Sequence, residues 1–148
     1  MNISEEELIE YAKPILKEQG FAKKAKRWTK VTEHFTYCFF IQGSSFSKED
    51  YYVRLGIIIN DIDVLVPSYG HISIDVPVTT KEEVLKLSLD FFSRWDSIDS
   101  LKKLVIDFVE WEKRNPIEKR RTGIVESDPA YLCLFTLSDK AKAAILNL

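Results

Sequence analysis

The sequence contains few cysteine and histidine residues, which form many recognisable metal and catalytic sites. Its 148 residues include two cysteines, Cys38 and Cys133, and two histidines, His34 and His71. The cysteines have no CxxC spacing and each lies in an apolar run, which predicts small buried side chains in a reducing compartment. No cluster of cysteine and histidine suggests zinc, and the neighbouring aspartates lack the glycine of a calcium loop. We therefore expect no metal and no cofactor.

The chain also lacks long apolar runs and a strong charge of one sign. No apolar run approaches the roughly 18 residues of a membrane span, and the acidic start MNISEEELIE does not resemble a signal peptide. We therefore expect a cytoplasmic protein that does not bind membranes. The net charge is −2, and the basic run at 23–27 is balanced by acidic residues elsewhere. Without a recognised reader motif, nucleic acid is not expected as a partner.

The strongest positive pattern lies between Phe35 and Ile59. Two runs rich in aromatic and β-branched residues, FTYCFFIQG and YYVRLGIII, flank a short polar break. Their alternation with a period of two predicts two neighbouring strands of an antiparallel sheet. Two further strands are predicted at 27–32 and at 71–76, the second ending before Pro77.

Helices are predicted on both sides of the sheet in sequence. Ser4 opens a capping box for the first helix, in which Pro14 predicts a kink or a break, and Gly20 is expected to close it. Thr80 opens a second capping box, and Asp99 is expected to cap the helix that follows.

These elements predict the fold class. The chain is expected to be one α+β domain over residues 1–148, with an N-terminal helix, a four-stranded antiparallel sheet meander, and C-terminal helices packed on one sheet face. Asp128 and Pro129 predict a helix start, while residues 130–137 fit either a helix or a strand.

The two long strands are predicted to have faces of different character. Val53 and Leu55 belong to an apolar row that is expected to face the core. Gln42, Tyr52 and Arg54 fall in the other row, and an arginine flanked by aromatic residues is typical of an interface hot spot. Alternatively, Arg54 is a paired residue within the sheet and Gln42 holds the following loop in place. Whether this second face is open stays undecided from the sequence.

Several short motifs resemble a bacterial family known as domain of unknown function 4304. They are a Gly-Phe pair at a helix end, a lysine-rich turn before an aromatic residue, a strand ending in Gln-x-Ser, and a Tyr-Tyr-x-x-Leu-Gly strand. The matching positions are Gly20, Phe21, Lys23, Lys24, Trp28, Gln42, Ser44, Tyr51, Tyr52, Leu55 and Gly56. Arg54 departs from this pattern, because the family tends to carry a small polar amide before Leu-Gly.

The family has no known activity that the resemblance could assign to this chain. Small α+β domains of this kind often accompany bacterial toxins as immunity proteins, so by analogy it implies a non-enzymatic protein-binding domain whose expected partner is a toxin domain. The expected binding residues are Trp28, Gln42, Ser44, Tyr52, Arg54 and His71.

Two other classes of function remain open. One is a small enzyme or ligand-binding domain with His71, Arg54 or Tyr52 in a pocket between sheet and helices. No catalytic residue is assigned, because His34 and His71 are expected at turn and strand-edge positions on the surface. His71 and Asp75, predicted on one strand, would also lie about 13 Å apart. The other class is an oligomerising structural domain; the sequence does not decide the oligomeric state.

Overall fold

A computed structural model of the chain describes residues 3–43, 51–67, 69–115 and 133–148, with only the backbone described at Cys133 and Phe135. It confirms the predicted α+β class. In chain order, its elements are α1 (Glu5–Glu18), β1 (Ala22–Lys24), β2 (Arg27–Val31), β3 (Phe35–Gly43), β4 (Tyr51–Ile59), β5 (Ile72–Val76), α2 (Lys81–Ser93), α3 (Ile98–Arg114), a 3₁₀ helix (Cys133–Thr136) and α4 (Asp139–Leu146).

The sheet is an antiparallel meander in the order β1-β2-β3-β4-β5, with one more strand than predicted. The additional strand is β1, where Ala22 pairs with Thr29 and Lys24 with Arg27. All three of its side chains are exposed, so the segment has no alternation of apolar and polar residues. From the sequence, its lysines therefore indicated only a turn. Ala25, with φ 55°, lies in the tight connection from β1 to β2. Lysines are also suited to an edge strand, because charge discourages further pairing.

Helix α1 begins as predicted, with the Ser4 hydroxyl accepting a hydrogen bond from the Glu7 backbone at 3.1 Å. Of the kink or break predicted at Pro14, the break does not occur, because α1 continues through Pro14 to Glu18. A proline removes one intrahelical hydrogen bond, whereas Leu8, Ala12 and the rest of the apolar stripe keep the helix packed on the core.

The end of α1 also agrees with its prediction. Gly20 has φ 94° and donates to the Lys17 carbonyl at 3.0 Å, while the Phe21 backbone donates to the Leu16 carbonyl at 2.9 Å. This pair of bonds is the Schellman motif, which satisfies carbonyls left free at a helix end and requires the left-handed conformation that glycine adopts easily.

The later helices require one correction. Thr80 caps α2 as predicted, but Ser97 rather than Asp99 caps α3, with its hydroxyl accepting from the Ser100 backbone at 3.2 Å. Asp99 lies in the first turn of α3, where a carboxylate favours the positive end of the helix dipole without capping it. Of the ambiguous segment 130–137, residues 133–136 are a 3₁₀ helix and not a strand; the predicted helix start at 128–129 lies outside the described residues.

One face of the sheet is buried in the core, as the alternation of β3 and β4 predicts. The core cluster also includes residues from all four α-helices, so helices cover this face. From β3 and β4 it contains Phe35, Tyr37, Phe39, Ile41, Val53, Leu55, Ile57 and Ile59.

The second face is crossed by the segment between β4 and β5. A Cβ atom placed on Gly56 would lie 1.6 Å from the Tyr69 carbonyl oxygen and 3.7 Å from the Cys38 side chain. Cys38 is directly opposite Gly56 and points to the second face, so the Tyr69 backbone lies directly on this face. The second face is therefore partly covered rather than fully open.

Replacing Gly56 with alanine is predicted to destabilise the protein by about 3 kcal/mol or more, because the backbone of the crossing segment must move to accept one methyl group. Gly43→Ala is the matched control: it lies at the end of β3 with nothing within 4 Å of the added Cβ, and should change the unfolding free energy by about 0.5 kcal/mol or less. Urea denaturation of both variants measures the difference. Equal stability of the two would contradict the crossing.

Candidate functional site

The second face of the sheet carries a connected group of polar and aromatic side chains. Gln42 on β3 is directly opposite Tyr52 on β4, and Arg54 on β4 is directly opposite Asp75 on β5. Tyr69 reaches the same place from the crossing segment. We call these five residues the Arg54 cluster. Gln42, Tyr52 and Arg54 lie together on one sheet face, as the alternation of the two strands predicts.

Arg54 is held on three sides. Its Nε donates to Asp75 Oδ1 at 2.6 Å and its Nη2 donates to Asp75 Oδ2 at 3.3 Å. Its guanidinium carbon lies 4.2 Å from the centre of the Tyr69 ring and 5.2 Å from that of Tyr52. The hydrogen bond to Asp75 raises the pKa of Arg54 further above its ordinary value. Arg54 is therefore a paired sheet residue, and its planar group is fixed in position.

The Gln42 amide ties the two tyrosines together. Its Oε1 accepts hydrogen bonds from the Tyr52 hydroxyl at 2.6 Å and from the Tyr69 hydroxyl at 2.9 Å. Burial raises the pKa of Tyr52, as does the neighbouring Tyr69 hydroxyl, so Tyr52 stays neutral and able to donate. Gln42 thus orders the aromatic rings of the cluster.

A shallow groove of about 360 Å³ continues from the Arg54 cluster toward β2. Its lining includes Arg27, Phe40 and Tyr69. The Phe40 and Tyr69 rings meet edge to face at 5.5 Å, and the Arg27 guanidinium lies 4.9 Å over Phe40. Lys26 at the rim forms an ion pair with Glu5, whereas Arg27 has no ion pair with a described residue. Beneath them, burial raises the pKa of the Cys38 thiol.

Two of the six predicted binding residues, Trp28 and His71, are not at this surface. Trp28 is only 1% exposed and lies in the core, where its ring meets Phe39 edge to face at 5.6 Å. Its burial corrects the expectation that a partner touches it. Ser44 lies outside the described residues. His71 is discussed next.

His71 is buried, which corrects its predicted position at the surface. Its side chain accepts a hydrogen bond from the Ile59 backbone through Nδ1 at 3.0 Å, and Nε2 lies 3.0 Å from the Val64 carbonyl. A carbonyl only accepts, so Nε2 carries the proton and the imidazole is neutral. Both ring nitrogens are occupied, and His71 holds the segment after β4 against the sheet.

His34 has a carboxylate partner that sequence spacing did not indicate. Its Nδ1 lies 2.6 Å from Asp61 Oδ2, and its Nε2 lies 3.7 Å from a Glu33 carboxylate oxygen. The pair joins the β2–β3 turn to the end of β4, two segments that are distant in sequence. Among the described residues, no hydroxyl or thiol lies in hydrogen-bond contact with His34.

The pocket predicted between sheet and helices exists but is built from other residues. It has a volume of about 240 Å³, and its walls include Phe21, Tyr37 and Phe92. His71, Arg54 and Tyr52 do not line it, which corrects that part of the expectation.

Tyr69 and Asp75 are the members of the Arg54 cluster that sequence reasoning did not select. Asp75 could have been found, because strand alternation already placed it outward on a strand beside Arg54. Tyr69 lies in the sequence PSYG at 67–70, whose residue types indicate only a turn. The signal for its contact was Gly56, since an isolated glycine inside a strand often marks the close approach of another backbone.

Among residues 3–43, 51–67, 69–115 and 133–148, no three or more His, Cys, Asp or Glu side chains are grouped so that they could hold a metal ion. None of the described helices has the length and apolar character needed to cross a membrane.

The fold and the site define an α+β protein whose five-stranded sheet has one core face and one face bearing an arginine between two tyrosines. Residues 12–76 match the family described as Domain of unknown function (DUF4304), which confirms the predicted family resemblance. The match runs from α1 through β5 and so contains the whole Arg54 cluster. No curated protein and no solved structure matches the chain.

Replacing His71 with alanine is predicted to lower the free energy of unfolding by about 3 kcal/mol, because it leaves the Ile59 N–H and the Val64 carbonyl without their partner. His34→Ala is the control, since its exposed pair with Asp61 should contribute about 1 kcal/mol or less. Thermal or urea unfolding compares the two. A larger loss for His34→Ala would mean that the roles of the two histidines are reversed.

Proposed function

We propose that this chain is a non-enzymatic protein-binding domain that recognises its partner through the Arg54 cluster and the adjoining groove. The observation that carries this proposal is the Arg54 guanidinium held between the rings of Tyr52 and Tyr69 on a sheet face. Tyrosine and arginine are the residue types most enriched among those that dominate binding energy at protein interfaces.

The order of this surface supports the proposal. Arg54, Tyr52 and Tyr69 are fixed by Asp75 and Gln42 through hydrogen bonds that exist before any partner arrives. Binding of a partner to these three side chains therefore costs less of their conformational entropy than binding to mobile side chains would. The exposed Val31, at the other end of β2, adds apolar area to the same sheet face.

The chemistry of the histidines favours binding over catalysis. Both nitrogens of His71 are bonded to backbone groups, and His34 meets only carboxylates among the described residues. Neither is placed to transfer a proton to a substrate held in the groove.

The finer proposal is an immunity protein that neutralises a bacterial toxin domain. It rests on the family resemblance, and on the positive charge of Arg27 beside the Arg54 cluster, which forms no ion pair with a described residue and would attract an acidic partner surface. Steering of this kind raises association rates, which suits a protein that must capture a toxin quickly.

The test is to co-express the chain with the protein encoded immediately upstream of its gene and to measure both growth and complex formation. We expect rescue of growth and a stable complex with the wild-type chain. Tyr52→Ala and Arg54→Ala should each weaken the complex by about 30-fold or more in calorimetry, because each removes a central contact.

Lys103→Ala is the matched control, since it removes an exposed charge on α3, away from the sheet, and should leave affinity unchanged. Urea unfolding of each variant shows that the fold is retained. No rescue and no complex would contradict the immunity proposal, whereas a complex unaffected by Tyr52→Ala and Arg54→Ala would contradict the surface. A dimer of the chain alone that Arg54→Ala dissociates would instead favour self-association.

A further inference from the structure

A second possible binding site lies on the opposite side of the sheet from the Arg54 cluster. It is the cavity of about 240 Å³ between the end of α1, strands β2 and β3, and the end of α2, which we call the α2 cavity. It is smaller than the roughly 300–1,000 Å³ of pockets that hold drug-sized ligands, so it suits a small metabolite.

The walls of the α2 cavity are aromatic and ordered. The Phe92 ring lies 5.5 Å from the Phe21 ring and 5.5 Å from the Tyr37 ring. The Tyr37 hydroxyl donates to the Trp95 carbonyl, which fixes Tyr37 against the end of α2. An apolar group entering the cavity would meet ring surfaces that are already in place.

The rim of the cavity carries one cation and one anion, Lys30 and Asp96. Neither has an ion-pair or hydrogen-bond partner among the described residues, and they do not pair with each other. The two opposite charges on the cavity rim are therefore free to bind a ligand.

The neighbours of Lys30 and Asp96 indicate how each charge is placed relative to the walls of the α2 cavity. The Lys30 stem lies over Gly20, with its Cε 3.5 Å from the position of a Cβ there, so the side chain lies along the α1 end of the cavity. Burial raises the pKa of Tyr37, and the Asp96 carboxylate, which borders the same cavity, adds to this effect.

We propose that the α2 cavity binds a small zwitterion with an apolar side chain, of the class of a free aliphatic or aromatic α-amino acid. Its carboxylate would bind Lys30, its ammonium would bind Asp96, and its side chain would lie against Phe21 and Phe92. A simple anion or cation would use one of the two charges and leave the other unpaired. This site does not depend on the proposed protein-binding function.

Titration with L-phenylalanine and L-leucine tests the proposal, with 3-phenylpropionate and 2-phenylethylamine as analogues that lack the ammonium and the carboxylate. The indole signal of Trp95 in ¹H–¹⁵N spectra reports occupancy, because Trp95 lines the cavity. We expect saturable shifts with the amino acids. Each analogue should bind about 10- to 100-fold more weakly, the loss expected for one charge-assisted hydrogen bond.

Lys30→Met and Asp96→Asn should each weaken amino-acid binding by about the same factor, and their rim positions let the fold be checked by unfolding. Lys24→Met on β1 and Asp90→Asn on α2 are the matched controls, because they remove the same charges outside the cavity. Arg54→Ala should also leave this binding intact, which separates the two sites.

Three results would overturn the proposal. The first is that no L-amino acid shifts the Trp95 signal at millimolar concentration. The second is that the analogues bind as tightly as the amino acids. The third is that Lys24→Met and Asp90→Asn weaken binding as much as the rim variants do.

Discussion

The close approach of the Tyr69 carbonyl to Gly56 is the constraint on which the second sheet face depends. Only a residue without a Cβ leaves room for a backbone to lie on a strand at this distance. The approach places the Tyr69 ring over Arg54 and its hydroxyl on Gln42. The bonds of His71 to the Ile59 and Val64 backbones hold the same segment from the other end. Without this crossing, Arg54 would have one aromatic neighbour fewer and the groove would lose a wall.

Some of the described charges form ion pairs within the fold, whereas others form no ion pair with a described residue. Arg54 is neutralised by Asp75 and serves to order aromatic rings. Arg27, Lys30 and Asp96 have no ion pair with a described residue, and each borders a concave surface. A ligand or partner can form an ion pair with such a charge without first breaking an existing ion pair. The proposed protein-binding surface and the proposed amino-acid site thus lie on opposite faces of one sheet.

Much of the fold could be predicted because it is encoded by neighbours in sequence. The alternation of β3 and β4, the capping of α1 by Ser4 and of α2 by Thr80, and the closing glycine at Gly20 are local patterns that tertiary packing preserves. Strand β1 was missed because its exposed lysines give no alternation, and its pairing with β2 depends on the tight connection at Ala25. The break expected at Pro14 failed because packing of the apolar stripe outweighs one lost hydrogen bond.

The sequence by itself determined which residues share a sheet face, since side chains alternate along every strand, and so it placed Gln42, Tyr52 and Arg54 in one row. Only the tertiary structure decided what that row meets. Tyr69 joins it through the crossing segment, Asp75 through the pairing of β4 with β5, and His71 turns inward to bond two backbone groups. Lys30 and Asp96 lie on one cavity although strands β3 to β5 and helix α2 separate them in the chain. These contacts join residues distant in sequence, and no local periodicity specifies them.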